Sequence, residues 1–210
     1  MDEGHGLAAA TVFDALGADY ERAFGRSAAH HASLRRLLDD LAPRGRVLDI
    51  GSGTGRPTAQ VLTEAGHEVH GVDVSPVMVE LAVRNVPGAS FACADILRLS
   101  LEEGSFDAVC AYFSLLQMSR AEQSRLLRKA ARLLVPGGHL VVATVPLDAE
   151  DVDVVFMGQT VRATSFGPEE FTGMVTEAGF TVLWEQSTLF TPEYEAAPAE
   201  PQLFLHCRRT

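Results

Sequence analysis

Nine residues constrain this chain more than any others. In the stretch 47–55 an apolar run of Val47, Leu48 and Ile50, broken by the acid Asp49, leads into Gly51, Gly53 and Gly55 at alternate positions. Such a run predicts a strand buried on both faces of a parallel sheet. Glycines placed directly after it predict a tight turn into a helix. Backbone amides can approach a ligand there because no side chain intervenes.

The rest of the chain alternates in the way that such a sheet requires. A helix is expected over 57–65, stopped by Gly66, followed by a second apolar strand over 68–74 that contains Asp73. Ser75 and Pro76 carry the signature of a helix start, a serine cap followed by proline in the first turn. A third short strand over 90–94 precedes Asp95, and a fourth is expected over 106–113. Ser119 and Glu122 form a capping box that opens a helix carrying Leu126, Leu127, Leu133 and Leu134. Pro136, Gly137 and Gly138 turn the chain into a fifth strand over 139–145, and a helix is expected over 168–178. Strands over 180–187 and 202–208 have no helix between them and should pair as an antiparallel hairpin at one edge. No period emerges over 147–165. Upstream, Leu34, Leu37, Leu38 and Leu41 fall at helical spacing and predict one helix over 19–41 that ends before Pro43. Residues 1–18 read as a loose beginning. The pattern as a whole predicts an α/β fold: a doubly wound, Rossmann-like, mostly parallel sheet with helices on both faces.

Composition excludes several partners. At 210 residues and 47% hydrophobic content, one domain with a sizeable core is expected. A formal charge of −11 disfavours nucleic acid, since nothing offsets phosphate repulsion. Cys93, Cys110 and Cys207 are too scattered for a disulfide framework or a cysteine-rich metal site, so reduced thiols, a cytoplasmic location and no metal are expected. An acidic start without an apolar core does not read as a signal peptide, and no apolar run has the length of a membrane span, so no membrane contact is expected. The sequence leaves the oligomeric state open.

In an open α/β sheet, ligands sit beyond the carboxyl ends of the strands. Asp73 follows Gly51 at a spacing that suits an acid accepting from ribose hydroxyls, and Asp95 could accept from an adenine amino group. A dinucleotide turn wants a third glycine where Arg56 stands. The turn instead fits a ligand that has a ribose and an adenine but no pyrophosphate, as S-adenosylmethionine does.

Five segments in order, 47–55, 71–75, 94–96, 106–109 and 134–140, make the chain resemble the class I S-adenosylmethionine-dependent methyltransferases of small-molecule type. The resemblance implies a seven-stranded sheet whose last strand is reversed. It also implies an N-terminal helical lid over 1–42, a methyltransferase domain over 43–210, and 147–167 as an acceptor-site insertion. Gly51, Gly53 and Gly55 would line the methionine part of the cofactor, with Asp49 and Ser52 supporting the turn or meeting its amino group. Asp73 would take the ribose hydroxyls, and Val74 and Met78 would pack on the adenine. Asp95 and Ile96 would bind the adenine edge, Phe113 and Ser114 would lie near the methionine end, and Tyr20 resembles a lid tyrosine folded over the cofactor.

No catalytic motif stands out. Gln117 occupies the segment where many such relatives carry a histidine, and it cannot act as a base. Weak candidates are His30, His31 and Tyr20, besides the acids Asp148, Asp151 and Asp153. Both histidines are expected to be exposed, and His139 to lie at the remote end of its strand. Val154, Val155, Phe156, Met157, Val161 and Phe166 could wall an acceptor site, with Arg162 orienting an anionic group. Two other readings stay open: a protein that binds this cofactor without methylating, and a nicotinamide-dependent oxidoreductase.

Overall fold

A computed structural model describes residues 4–210, with side chains from residue 9 onward. Three helices come first: α1 (Gly4–Leu16), α2 (Ala18–Phe24) and α3 (Ala28–Asp40). Next come β1 (Arg46–Ile50), α4 (Thr58–Glu64), β2 (Glu68–Asp73), α5 (Pro76–Asn85), β3 (Ser90–Cys93) and β4 (Phe106–Tyr112). After them lie α6 (Arg120–Leu133), β5 (Leu134–Thr144), β6 (Ala149–Phe156), β7 (Gln159–Ser165), α7 (Pro168–Glu177), β8 (Phe180–Phe190) and β9 (Glu200–Arg209).

Seven strands form one sheet in the order β3-β2-β1-β4-β5-β9-β8. β1, β2, β3, β4 and β5 run parallel, whereas β9 is antiparallel to both β5 and β8. The reversed last strand is therefore inserted beside β5, and β8 forms the edge. Alternate side chains of each strand feed opposite layers. Val47, Val69, Ala108, Val141 and Phe204 pack beneath Leu34 and Leu37 of α3 and Ala59 and Leu62 of α4. Leu48, Ile50, Val109, Leu140 and Leu205 pack beneath Leu126 and Leu127 of α6 and Phe171 and Val175 of α7. Among the described residues, no helix is long and apolar enough to cross a membrane, and the three cysteines are free.

The structure departs from the sequence reading in four places. Residues Gly4–Leu16 form a helix rather than a loose start. The helix expected over 19–41 is two helices, because Ser27 caps α3 by accepting from the His30 N–H at 3.3 Å. A serine that offers its hydroxyl to a free amide starts a new helix more readily than it continues an old one. β5 begins at Leu134 and carries Pro136, Gly137 and Gly138 within it, with an irregular register opposite Phe106 and Ala108. The segment without a period forms a hairpin, in which Phe156 pairs with Gln159 across Met157 (φ 49°) and Gly158 (φ 78°). Two left-handed residues make the tight turn that suits a twisted two-strand ribbon. Six of the eight residues of β6 are exposed, so no buried face imposed the alternation by which a strand is recognised.

The capping box forms as expected. Ser119 Oγ accepts from the Glu122 N–H, and Glu122 accepts from the Ser119 N–H at 2.8 Å. Ser119→Ala is expected to cost about 1 kcal/mol, read as a lower urea midpoint at unchanged slope.

Candidate active site

The turn after β1 is built from left-handed glycines, Gly51 (φ 69°), Gly53 (φ 51°) and Gly55 (φ 79°). Gly51 has a second reason to be glycine: a Cβ there would stand 2.3 Å from the Ser114 Cβ. Nothing lies within 4 Å of the position a Gly53 Cβ would take. Asp73, at the end of β2, clasps this turn. Its Oδ2 accepts from the Gly53 N–H and its Oδ1 from the Ser75 N–H, both at 2.9 Å. Burial pushes the Asp73 carboxyl above its ordinary range, against the opposing effect of those N–H donors.

A cleft partly open to solvent lies beyond the carboxyl ends of β1, β2 and β4. Gly51, Gly53, Asp73, Val74, Met78, Asp95, Ile96, Phe113 and Ser114 all line it. Asp95 turns one oxygen to the Leu97 N–H at 2.8 Å, which fixes the loop after β3. Phe113 is left-handed (φ 57°), an uncommon conformation for an aromatic residue, and its N–H donates to Ala143 O at 2.8 Å. Gln117 and Met118 complete the wall near β4.

Aromatic rings cover the cleft. Tyr20 stacks on Phe24 at 5.0 Å and meets the Phe13 ring edge-on at 5.5 Å. Phe24 in turn stacks on Phe156 at 5.6 Å, and Phe190 lies 5.9 Å away. Phe156 thus brings the tip of the β6–β7 hairpin against α2, while β7 also contacts α1. Burial, with Glu200 and Asp73 nearby, holds the Tyr20 hydroxyl protonated, so it can donate a hydrogen bond but is no base at neutral pH. α1 is tethered by Asp14, whose Oδ1 accepts from Ser75 Oγ at 2.6 Å and from the Val77 N–H at 3.3 Å. Leu34 and Leu37 of α3 are fully buried against the sheet.

A second cavity adjoins the glycine turn and shares Tyr20, Gly51, Gly53, Tyr112 and Phe113 with the first as lining. Asp49, Ser52, His30, Thr58 and Gln202 also line it. Burial, and then the Asp73 charge, push the Asp49 carboxyl up to about 7. The expectation that His30 is exposed fails, for it is 9% exposed. Its Nε2 lies 3.0 Å from Thr58 Oγ1 and its ring lies 3.9 Å from Tyr112. Burial, with His31 adjacent, pushes His30 down to about 3, which leaves a neutral imidazole and a poor proton acceptor. Asp49 Oδ2, Ser52 Oγ, Ser114 Oγ and Gln202 Oε1 are buried without a hydrogen-bond partner among the described residues.

Other candidates lie elsewhere. Gly55 lines neither cavity, and a Cβ there would press on Val86 Cγ2 at 3.0 Å and Phe91 at 3.2 Å, so it serves packing against α5. His31 Nε2 is 3.1 Å from Gly25 O and faces an outer groove. Arg162 is engaged by Asp151 at 2.8 Å and Asp153 at 3.6 Å on the hairpin. Asp148 pairs with Arg120, Val155 is 78% exposed, and Phe166 is a core residue under the Arg120 guanidinium. His139, His206 and Asp40 come together at the opposite ends of the strands, with His139 Nδ1 3.1 Å from His206 Nε2. A hydrogen bond between two neutral imidazoles accounts for this contact, since burial pushes His206 down to about 4.

Sequence reasoning missed Asp14, Phe24, Glu200 and Gln202. Each lies in a segment distant from the glycine turn and carries no local motif. Asp14→Ala is expected to speed amide exchange across Gly4–Leu16 at least tenfold, because two hydrogen bonds to a carboxylate are lost, while core strands keep their protection. Unchanged exchange would show that α1 is held by its apolar contacts instead.

Residues 47–138 match the family model described as a methyltransferase domain. The demethylmenaquinone methyltransferase of Corynebacterium urealyticum is 36% identical over 140 residues, which cover 64% of this chain and 58% of that protein. The chain thus spans little more than half the length of that curated relative. Among solved structures, the 1,6-didemethyltoxoflavin-N1-methyltransferase of Burkholderia thailandensis superposes with a TM-score of 0.76 at 21% identity, covering 100% of this chain and 91% of that one. The cyclase SpnF superposes with a TM-score of 0.73 at 21% identity, covering 97% and 96%. At such identities these two structures speak to the fold alone. With this sheet and this turn around the matched residues 47–138, the chain is similar to the class I S-adenosylmethionine-dependent methyltransferases.

Proposed function

We propose that this chain transfers a methyl group from S-adenosylmethionine to an oxygen or nitrogen atom of a small, partly apolar acceptor by in-line displacement. The observation that carries the reading is the position of Asp73: a buried carboxylate at mid-cleft, between the glycine turn and the apolar slot of Val74, Met78 and Ile96. Each of its oxygens already accepts one backbone N–H and retains a lone pair for a ribose hydroxyl. Unpartnered oxygens on Asp49, Ser52 and Ser114 around the turn fit the polar methionyl end of the cofactor.

When bound, S-adenosylmethionine supplies a methyl group already activated on sulfur, with a neutral thioether as leaving group. The residues of the chain then have to orient the acceptor and exclude water. α1, α2 and the tip of the β6–β7 hairpin serve as the lid, with Tyr20, Phe24 and Phe156 as its apolar inner surface. Tyr20 can donate a hydrogen bond to an acceptor oxygen but takes no proton. His30 holds the second cavity in shape rather than acting as a base. An acceptor that presents a free lone pair at working pH needs no base. The acidic chain favours a small-molecule partner over nucleic acid and fits a cytoplasmic protein.

A second reading, cofactor binding in the service of another reaction, is favoured by one observation: a protein named as a cyclase shares this fold over 97% of the chain. The oxidoreductase reading has less support, since Arg56 stands at the glycine position of a dinucleotide turn and pairs with Glu21 at 3.4 Å. Calorimetric titration with S-adenosylmethionine, S-adenosylhomocysteine and NADH, followed by methyl-labelled cofactor across an acceptor panel, separates the three. Micromolar binding of the first two with label transfer is the expected outcome. Binding without transfer to any acceptor supports the second reading, and NADH binding alone the third.

Two further outcomes follow from the geometry. Asp73→Ala should weaken cofactor binding at least tenfold, as loss of a charged acceptor worth roughly 1.5–3 kcal/mol implies. Affinity should also follow the Asp49 carboxyl, which ionises at about 7. The ionised form attracts the ligand ammonium, so affinity rises as pH increases through about 7. It falls again above about 8, where an α-amino group loses its proton. Asp49→Asn should flatten the lower limb in titrations between pH 6 and 8, and a flat wild-type profile would place the amino group away from Asp49.

A further inference from the structure

Gln202 sits in β9, remote in sequence from every segment that marks the family, yet it is 1% exposed and lines the second cavity beside Asp49 and Ser52. Its amide is oriented by a neighbour. Gln202 Nε2 donates to Glu200 Oε1 at 2.9 Å. An ionised carboxylate only accepts, so the nitrogen must face Glu200 and the oxygen must face away. That oxygen, Gln202 Oε1, is buried and has no hydrogen-bond partner among the described residues. Asp49 Oδ2 and Ser52 Oγ are in the same condition and line the same cavity.

Three orphaned side-chain oxygens in one chamber are costly unless something supplies donors, because each buried unsatisfied polar group forfeits about 1–3 kcal/mol. One is a pure acceptor, one an acceptor when ionised, and one a hydroxyl that can accept. The complementary ligand is therefore a compact group with several N–H donors and a positive charge, which describes a primary ammonium. The cavity adjoins the cleft and shares Tyr20, Gly51, Gly53, Tyr112 and Phe113 with it as lining, so a molecule whose nucleoside occupies the cleft would bring its tail to this side of the turn.

We propose that Gln202, aimed by Glu200, accepts a hydrogen bond from the amino group of the cofactor's methionyl tail and thereby helps the chain select an aminated tail. The inference rests on the cofactor reading above and adds to it a residue on the inserted strand and a second residue, Glu200, that acts through the first. Gln202 touches the ligand, and Glu200 is a positioning residue.

The test compares three probes by calorimetry: S-adenosylhomocysteine, its analogue lacking only the amino group (5′-deoxy-5′-(3-carboxypropylthio)adenosine), and 5′-methylthioadenosine, which lacks the whole amino acid. Gln202→Met keeps the length of the side chain and removes the acceptor. It is expected to weaken S-adenosylhomocysteine by about tenfold or more, the measure of a hydrogen bond to a charged group, and to leave the other two probes within about twofold. Glu200→Gln frees the Gln202 amide to turn and should produce a smaller loss confined to the same probe. Retained affinity for 5′-methylthioadenosine shows in the same experiment that the variants are folded. Equal losses on S-adenosylhomocysteine and its deaminated analogue, or no loss on either, would overturn the assignment of Gln202 and leave the cofactor reading standing. A wild-type protein that binds none of the three would overturn the cofactor reading and this inference with it.

Discussion

The site depends on one carboxylate held between two strand ends. Asp73 accepts from the Gly53 N–H across the sheet and from the Ser75 N–H in its own turn. Those two bonds fix the glycine loop relative to the start of α5, and so set the width of the cleft floor. Such a clasp requires β1 and β2 to be adjacent and in register, which the Ile50 to Val72 pairing provides. It also requires left-handed backbone at Gly51 and Gly53, which any residue with a Cβ would strain. A buried carboxylate costs desolvation energy, and here backbone N–H groups offset part of it. The remaining lone pairs are what a ribose would use.

Around that clasp the chain keeps two different environments apart. Towards α5 and the loop after β3 the walls are apolar, with Met78 and Ile96 almost fully buried. On the other side of the turn, between β1 and the helices α3 and α4, lie Asp49, Ser52, His30, Thr58 and Gln202. A low local dielectric makes each of these polar groups sensitive to its partner. It holds His30 neutral and leaves Asp49 poised near neutrality. A ligand with an uncharged nucleoside and a zwitterionic tail matches such a division.

The cover is assembled from parts far apart in sequence. Asp14 joins α1 to the start of α5, the rings of Tyr20 and Phe24 meet Phe156 of the hairpin, and Phe190 of β8 closes the cluster. At the base of the hairpin, Arg120 reaches Asp148, Ser165 O and the Phe166 ring from the first turn of α6.

By itself the sequence determined most strands of the sheet, the glycine turn and the acids at the strand ends, whereas Val74, Met78, Ile96, Phe113 and Ser114 were reached through the resemblance. The first three features rest on local rules: apolar runs for buried strands, glycine for left-handed turns, and Ser75 or Ser119 for helix starts. Gly55 shares the positive φ of its neighbours, and only the structure shows how close Val86 and Phe91 stand to it. The exposed strand β6 left no periodic mark, and His30 carried nothing in its neighbourhood to announce burial. Tertiary structure alone decided that Asp14 tethers α1, that Phe156 reaches the N-terminal helices, and that Glu200 and Gln202 stand beside Asp49's chamber. The physical reason is that insertion of the reversed strand beside β5 carries residues 200–202 to the carboxyl edge of the sheet. No short-range pattern along the chain encodes that juxtaposition.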